Sequence, residues 1–308
     1  MPAPHTRVTD YTNMQTKTEI KRYLAAAGSR PLKRFGQHFL IDGNLMRKLV
    51  SAASPAPGDV VLEVGVATGS LTALLADTGS TVIGIDIDKK IVSDTAARFG
   101  DHDNVQIESM DALAGKHHIN PQLISLLRDH PPRNGGRMMM VSNLPYNIAS
   151  PLLVELLWGG LDFDSMVFTV QREVANRLAA SPNSRAYGAL SVLIQLQGTV
   201  EKLARIRPSS FWPKPTVESS MLRINPHAAQ MISAPLREFV RCLFAHPRKT
   251  LARIFRDSFN CGDANQRLLD QGIDPSRRPG TLNLEEIVQL FKRLDWSAVD
   301  IAARKPLI

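Results

Sequence analysis

The stretch from Met138 to Ser150, MMMVSNLPYNIAS, holds side chains that could recognise a flat polar ring. Four apolar residues, Met138 to Val141, predict a strand that is buried on both faces, and a turn with Asn143, Pro145 and Tyr146 follows it. Open α/β sheets bind ligands at the carboxyl ends of their strands. An amide, a carbonyl fixed by proline and an aromatic ring at that edge favour a nucleobase as ligand. Asn-x-Pro is also a common way to end a strand, so a plain turn is the alternative.

A second set of residues indicates a nucleotide cofactor. EVGVATG, Glu63 to Gly69, follows a predicted strand and opens a predicted helix, and Gly65 permits close backbone approach to a ligand. Asp86 ends the next strand, where a carboxylate can accept hydrogen bonds from ribose hydroxyls, and Asp111 follows the third strand. The pattern suits an adenosine-containing cofactor, either a dinucleotide or S-adenosylmethionine. Asp86 could instead cap a helix, and Asp111 could close a turn.

Composition limits the class of protein. The 308 residues, 44% of them hydrophobic, can form a main domain and a smaller one, and the net charge of +8 favours a polyanionic partner. Cys242 and Cys261 give no disulfide framework and no zinc pattern, which fits a reducing cytosol. His117 and His118 fall in a predicted surface insertion without partners at ligand spacing, so we predict no metal site.

The amino terminus has no apolar signal core, and no stretch approaches the roughly 18 apolar residues of a membrane span. We therefore expect a soluble, cytoplasmic protein, with a monomer as the default state.

A basic arm precedes the predicted sheet. Thr16 to Glu19 predicts a capping box that opens a helix running to about Ala27, with Gly28 as its stop. The arm carries Lys17, Lys21, Arg22, Arg30, Lys33 and Arg34. It is either a solvated surface helix or a nucleic-acid contact, and the charge pattern does not decide between the two. A second helix is predicted over Gly43 to Ala53.

From Asp59 onward, strands and helices alternate, which predicts a mostly parallel sheet covered on both faces. The predicted strands are Val60 to Gly65, Thr81 to Asp86, Val105 to Asp111, Met138 to Val141 and Ser165 to Gln171. Leu190 to Ile206 and Ser219 to Ile224 are predicted as late strands. A surface insertion over residues 115–137 is predicted to contain a short helix, Pro121 to Asp129.

Beyond a linker at Pro226 to Pro235 the chain is predicted to be helical. The predicted helices are Leu236 to Ala245, Pro247 to Phe259 and Leu284 to Leu294. Lys249, Arg253 and Arg256 would share one face of the second helix. The predicted domains are a basic arm with lead-in helices (1–57), a cofactor-binding domain (58–230) and a helical RNA-binding domain (231–308).

The motifs of the chain resemble those of the KsgA-type ribosomal RNA small-subunit adenine dimethyltransferases, over most of its length. In order they are KRFGQHFLID, VLEVGVATGSLT, GIDIDKK, NLPYNIAS, VQREVANRL, YGALSV, FWPKPTVESSMLRI, HPRKTL and GIDPSRRPGTLNLEEIVQLF. The resemblance implies an α/β fold: a Rossmann-like class I methyltransferase sheet with helices on both faces, plus a small all-helical C-terminal domain.

The resemblance also implies the reaction. Methyl groups would pass from S-adenosylmethionine to the exocyclic amino nitrogens of two adjacent adenosines in small-subunit (16S) ribosomal RNA, within the immature small ribosomal subunit, giving dimethyladenosine during ribosome assembly. The implied cofactor-binding residues are Gln37, His38, Leu40, Glu63, Gly65, Gly69, Asp86, Asp111 and Asn143. The implied target-adenine site comprises Asn143, Leu144, Pro145, Tyr146 and Phe211.

Three features depart from the family pattern. Val66 and Ala67 stand where a Pro-Gly pair is usual, Met110 replaces a Gly before Asp111, and the 115–137 insertion is long. They leave open a ribosome-assembly, RNA-binding factor whose methyl transfer is weak or lost. A methyltransferase for DNA or large-subunit RNA is a further alternative. A nicotinamide dehydrogenase is disfavoured, because no acid or base for hydride transfer accompanies the glycine turn.

Overall fold

The computed structural model describes residues 16–26, 28–32, 35–115, 118–228 and 233–293. The predictions made for Ala27, Lys33, Arg34, His117 and Leu294 lie outside the described residues. No helix among those described is long and apolar enough to cross a membrane.

Twelve helices are described. They are α1 (Lys17–Ala26), α2 (Gly43–Ala53), α3 (Ser70–Ala76), α4 (Lys89–Arg98), α5 (Pro121–Asp129), α6 (Ala149–Trp158), α7 (Arg172–Leu178), α8 (Ala189–Gln195), α9 (Ala234–Phe244), α10 (Leu251–Phe259), α11 (Ala264–Leu269) and α12 (Leu284–Arg293).

Nine strands are described alongside them. They are β1 (Phe39–Leu40), β2 (Val60–Val64), β3 (Thr81–Asp86), β4 (Val105–Ser109), β5 (Met138–Asn143), β6 (Ser165–Gln171), β7 (Gly198–Ile206), β8 (Phe211–Trp212) and β9 (Ser219–Pro226).

The chain divides into two compact units. The described residues of Met1–Arg172 and Glu201–Asn225 form the first, and those of Glu173–Val200 and Pro226–Ile308 form the second. The segment Glu173–Val200, which the predicted boundaries assign to the cofactor-binding domain, therefore belongs to the second unit.

A seven-stranded sheet organises the first unit, in the order β4-β3-β2-β5-β6-β9-β7. Strands β2 to β6 run parallel to one another, and β9 is antiparallel to β6. Strand β2 is buried along its whole length, as expected for a sheet covered on both faces. On one face, Met46 and Leu49 of α2 and Leu75 of α3 pack against Val61 and Met139. The predicted mostly parallel sheet is confirmed.

The helix that opens the described chain begins as predicted. The Thr16 backbone N–H donates to Glu19 Oε2 at 2.6 Å, and the Glu19 N–H donates to Thr16 Oγ1 at 3.3 Å, which completes the capping box. Ile20 and Leu24 form the buried face of α1 and pack with Phe39.

A second sheet of only two short strands positions an aromatic residue of the predicted site. Strands β1 and β8 pair antiparallel, with Phe39 opposite Trp212 and Leu40 opposite Phe211. Two-residue strands leave no periodicity in a sequence, so this pairing was not predicted.

The second unit is helical, with an aromatic cluster at its centre. Phe239 lies within ring contact of Phe255, Phe259 and Phe291. The Ser233 hydroxyl caps α9 by accepting a hydrogen bond from the Leu236 N–H.

Two predictions for this region were wrong. The first half of the strand predicted over Leu190 to Ile206 is helix α8, and β7 begins only at Gly198. Short apolar runs do not distinguish a buried helix from a buried strand. The helix predicted from Pro247 begins at Leu251, because Thr250 is its N-cap. Lys249 thus lies outside the helix, and its Nζ pairs with Asp257 Oδ2 at 2.9 Å.

The side chain of Val66 leaves room only for glycine at position 84. A Cβ atom at Gly84, in β3, would lie 2.5 Å from Cγ1 of Val66, which is 2% exposed. Val66, one of the departures from the family pattern, thus fills the space that this glycine leaves.

We expect Gly84→Ala to lower the free energy of unfolding by about 1–3 kcal/mol, because the new methyl group overpacks Val66. Urea denaturation measures this loss, in the wild type, Gly84→Ala, Val66→Ala and the double variant. The double variant should lose less stability than the sum of the single losses. Strict additivity would contradict the packing explanation.

Candidate active site

The predicted site residues meet at the carboxyl edge of the parallel strands. The glycine turn (residues 65–69) follows β2, Asp86 ends β3, Asp111 follows β4, and the NLPY turn (residues 143–146) begins at the end of β5. The chain passes outward from β2 through β3 to β4 and then returns to place β5 on the other side of β2. This reversal of strand order is where open α/β sheets form ligand crevices.

A cavity of about 290 Å³ occupies this switch point. Its wall includes most of the predicted residues, namely Gln37, His38, Leu40, Glu63, Gly65, Asp86, Asp111, Asn143, Leu144, Pro145 and Tyr146. Two predicted residues, Gly69 and Phe211, do not line the part of the cavity that the structure describes. Gly69 is the N-cap of α3, and a Cβ there would lie 2.7 Å from Phe99 Cε2. Phe211 is buried, and its ring meets the ring of Tyr146 edge-on.

The two turns touch at Gly65. This residue has a φ of +90°, and a Cβ atom on it would lie 3.3 Å from Cγ of Pro145. Both the left-handed backbone and the close approach favour glycine. The glycine turn and the NLPY turn consequently form one continuous wall of the cavity.

Ala67 adopts a conformation that usually belongs to glycine. Its φ is +48°, in the left-handed region. The backbone N–H donates to Asp86 Oδ2 at 3.0 Å, and the carbonyl accepts from Thr95 Oγ1 at 2.7 Å. Thr95 Oγ1 also lies 2.9 Å from the Tyr23 hydroxyl of α1. Hydrogen bonds on both sides of the residue therefore hold the strained turn in place.

Two buried carboxyl groups line the cavity without a cationic partner in the contacts described for them. Glu63 is 1% exposed and accepts a hydrogen bond from Thr72 Oγ1 at 2.6 Å. Burial raises the pKa of Glu63 to about 8, with a smaller contribution from the charge of Asp86, while the Thr72 hydrogen bond acts in the opposite direction. Burial also raises the pKa of Asp86, which accepts hydrogen bonds from the backbone N–H groups of Ala67 and Asp88. A ligand with positive charge and hydroxyl donors suits this pair.

The segment before β1 forms a second side of the cavity. Gln37 Oε1 accepts a hydrogen bond from the Leu32 N–H at 2.9 Å, and Nε2 approaches Asp88 Oδ2 at 3.5 Å. His38 Nδ1 donates to the carbonyl of Pro213 at 2.7 Å. Leu40 is buried opposite Phe211 in the two-stranded sheet.

The aromatic ring of the NLPY turn is held by three neighbours. The Tyr146 hydroxyl lies 2.5 Å from Ser219 Oγ. The His38 ring stacks on Tyr146 with centroids 5.1 Å apart, and Phe211 meets it edge-on at 6.4 Å. Burial raises the pKa of Tyr146, so its hydroxyl stays protonated at neutral pH. Ser219 was missed by sequence reasoning, because only the fold brings it to this turn.

Asn143 is fixed at both ends of its side-chain amide. Nδ2 donates to the carbonyl of His38 at 2.9 Å, and Oδ1 accepts from Thr169 Oγ1 at 2.5 Å. Leu144, the next residue, is 1% exposed. Among the residues that the structure describes, no three His, Cys, Asp or Glu side chains are grouped to hold a metal ion.

A mostly parallel sheet with a switch-point cavity, acidic groups at successive strand ends and a glycine turn is the arrangement of a nucleotide-binding α/β protein. The family model described as "Ribosomal RNA adenine dimethylase" matches residues 28–295. The chain therefore belongs to this family of S-adenosylmethionine-dependent enzymes that dimethylate adenine in ribosomal RNA.

Named relatives and solved structures agree with this assignment. The chain is 35% identical over 284 residues to "Ribosomal RNA small subunit methyltransferase A" of Mycobacterium sp. (strain KMS), covering 90% of this chain and 94% of that protein. The Mycobacterium tuberculosis protein of the same name is 34% identical, with 90% and 87% covered.

Two solved structures confirm the predicted fold. A dimethyladenosine transferase from Plasmodium falciparum superimposes with a TM-score of 0.70 at 24% identity, covering 85% of this chain and 99% of that one. The 23S rRNA methyltransferase ErmE superimposes with a TM-score of 0.60 at 20% identity, covering 83% and 99%.

We expect Glu63→Gln to remove a pH dependence of stability. The folded protein holds a proton on Glu63 that the unfolded chain releases near pH 4.5, so the free energy of unfolding falls as the pH rises from about 4.5 to about 8. We expect denaturation at several pH values to show that the free energy of unfolding of Glu63→Gln, relative to that of the wild type, rises through this window. Above the window the difference should stay constant. Parallel curves for the two proteins would exclude a buried, protonated Glu63.

We expect Ala67→Gly to raise the free energy of unfolding by about 0.5–1 kcal/mol, because relief of left-handed strain exceeds the entropy gained by the unfolded chain. Chemical denaturation measures it. Ala73→Gly, within the ordinary helix α3, is the matched control and should be destabilising. A loss of stability in Ala67→Gly would show that the two hydrogen bonds leave no strain to relieve.

Proposed function

We propose that the protein dimethylates two adjacent adenosines of small-subunit ribosomal RNA, acting as a monomer on immature small subunits in the cytoplasm. The names of the mycobacterial relatives, matched over nine-tenths of this chain, support the choice of subunit. The contact between Gly65 and Pro145 is the main structural support for this proposal. It places the glycine turn, where the cofactor would bind, beside the NLPY turn, which would accept hydrogen bonds from the target base.

The residues present fit S-adenosylmethionine. Glu63 and Gly65 would surround its methionine part, Asp86 would accept hydrogen bonds from the ribose, and Asp111 would lie at the adenine. When bound, S-adenosylmethionine supplies an electrophilic methyl group on a positively charged sulfur. Buried carboxyl groups with raised pKa values favour such a cation, since its charge offsets the cost of ionising them.

The NLPY turn would activate the target by accepting hydrogen bonds. The amino nitrogen of adenine is a poor nucleophile, because its lone pair is delocalised into the ring. Asn143 Oδ1 accepts one N–H and the Leu144 carbonyl accepts the other, which favours a pyramidal nitrogen with its lone pair free. The nitrogen gains a methyl group and loses one proton to solvent in each transfer. Catalysis then depends on positioning and preorganised acceptors.

Aromatic contacts would hold the extruded base. Removing an adenine from its stack costs a few kcal/mol, and each aromatic contact returns roughly 1–3 kcal/mol. Tyr146 is already oriented by Ser219, His38 and Phe211, so little side-chain freedom is lost when a base binds.

Basic side chains in each unit would bind phosphates. Lys17, Lys21 and Arg22 are exposed on α1 in the first unit, and Arg253 is exposed on α10 in the second. Arg253 Nε lies 3.5 Å from Asp257 Oδ2, and the Arg253 side chain is 66% exposed, so its guanidinium group is accessible to an RNA phosphate. Such contacts fix the register of an RNA without reading its bases.

Transfer of labelled methyl from S-adenosylmethionine to immature small subunits tests the proposal. We expect dimethyladenosine at two neighbouring positions by mass spectrometry, and a rate about 100-fold lower in Asn143→Ala, because a preorganised acceptor is lost. Asn44→Ala changes an exposed residue outside the cavity wall and should match the wild type.

Large subunits and duplex DNA serve as competing substrates in the same assay. Preferential labelling of either would assign a different target. Tight binding to small subunits without any label would contradict the reaction and leave a binding factor.

A further inference from the structure

Thr169 is a polar residue at a buried position of the central sheet. It lies in β6, where the parallel register pairs it with Asn143 of β5. Its exposure is 0%, and its neighbours along the strand, Phe168 and Val170, are equally buried. A hydroxyl group in such surroundings destabilises the fold unless it forms a hydrogen bond. The hydrogen bond that it forms is with Asn143 Oδ1, at 2.5 Å.

The contacts of Asn143 determine which end of its amide faces which neighbour. The His38 carbonyl can only accept a hydrogen bond, so the group 2.9 Å from it must be the Nδ2 amide of Asn143. Oδ1 then faces Thr169, and the Thr169 hydroxyl must be the donor. The last torsion of an asparagine is otherwise broad and roughly two-fold, so the His38 carbonyl selects one of two orientations and the Thr169 hydroxyl holds the amide in it.

The orientation matters for an adenine amino group. Oδ1 can accept two hydrogen bonds, and after the bond from Thr169 it retains one acceptor position. If the amide turned over, Nδ2 would present an N–H to another N–H, and the target nitrogen would lose an acceptor. The His38 carbonyl opposes this rotation, because it can only accept, whereas the Thr169 hydroxyl could donate to Oδ1 or accept from Nδ2. Thr169 supplies the second anchor, which fixes the angle of the amide plane and the position of Oδ1.

We propose that Thr169 is a positioning residue for methyl transfer, acting through Asn143. The inference rests on the proposed function, since it requires that Asn143 accept a hydrogen bond from the target base. Thr169 itself does not line the described cavity wall, so a direct contact with substrate is not part of its role.

Thr169→Val tests the inference, because valine keeps the branched shape and removes the donor. We expect kcat for methyl transfer to fall about tenfold, as for the loss of one buried hydrogen bond, while KM for S-adenosylmethionine stays within twofold. Thr169→Ser retains the hydroxyl, and its kcat should stay within about threefold of the wild type. If Thr169→Val is insoluble, Thr169→Ala set against Thr169→Ser gives the same comparison.

The outcomes separate this inference from the proposed function. An inactive wild type, or a fully active Asn143→Ala, would overturn the proposed function. An active wild type with a disabled Asn143→Ala, but with Thr169→Val at wild-type kcat, would overturn only the role of Thr169. Equal losses in Thr169→Val and Thr169→Ser would overturn it as well, since disturbed packing in general, and not the missing donor, would then be the cause.

Discussion

The close approach of two turns, at Gly65 and Pro145, is the constraint on which the site depends. These turns follow β2 and β5, which are neighbours only because the strand order reverses between them. The reversal opens a crevice, and the missing side chain of Gly65 allows the NLPY turn to close one side of it. The glycine turn and the NLPY turn are therefore positioned by one contact, between the backbone of Gly65 and the ring of Pro145.

Local contacts accommodate one of the departures from the family pattern, the Val66-Ala67 pair. Val66 packs over Gly84, where any larger residue would collide with it. Ala67 remains left-handed because Asp86 and Thr95 bond its N–H and carbonyl groups. Asp86 thus stabilises the glycine turn and also presents its carboxyl group to the cavity.

Much of the fold could be predicted from local patterns. The bounds of β3, β6 and α5 match the prediction, because apolar runs mark the two strands and Pro121 marks the start of the helix. Leu190 to Gln195 was assigned wrongly, since a short, fully buried helix has no polar face to show its period. The pairing of β1 with β8 depends on contacts between distant segments. The hydrogen bond between Thr169 and Asn143 was equally hidden, because it requires the parallel register of β5 and β6.

Hydrogen–deuterium exchange with and without S-adenosylhomocysteine tests most directly whether the two turns form one site. The structure predicts slower exchange, on binding, in residues 65–70 and also in residues 144–148, since both segments line the same cavity. Protection of the first segment with unchanged exchange in the second would contradict the account, because the NLPY turn would then lie outside the cofactor site.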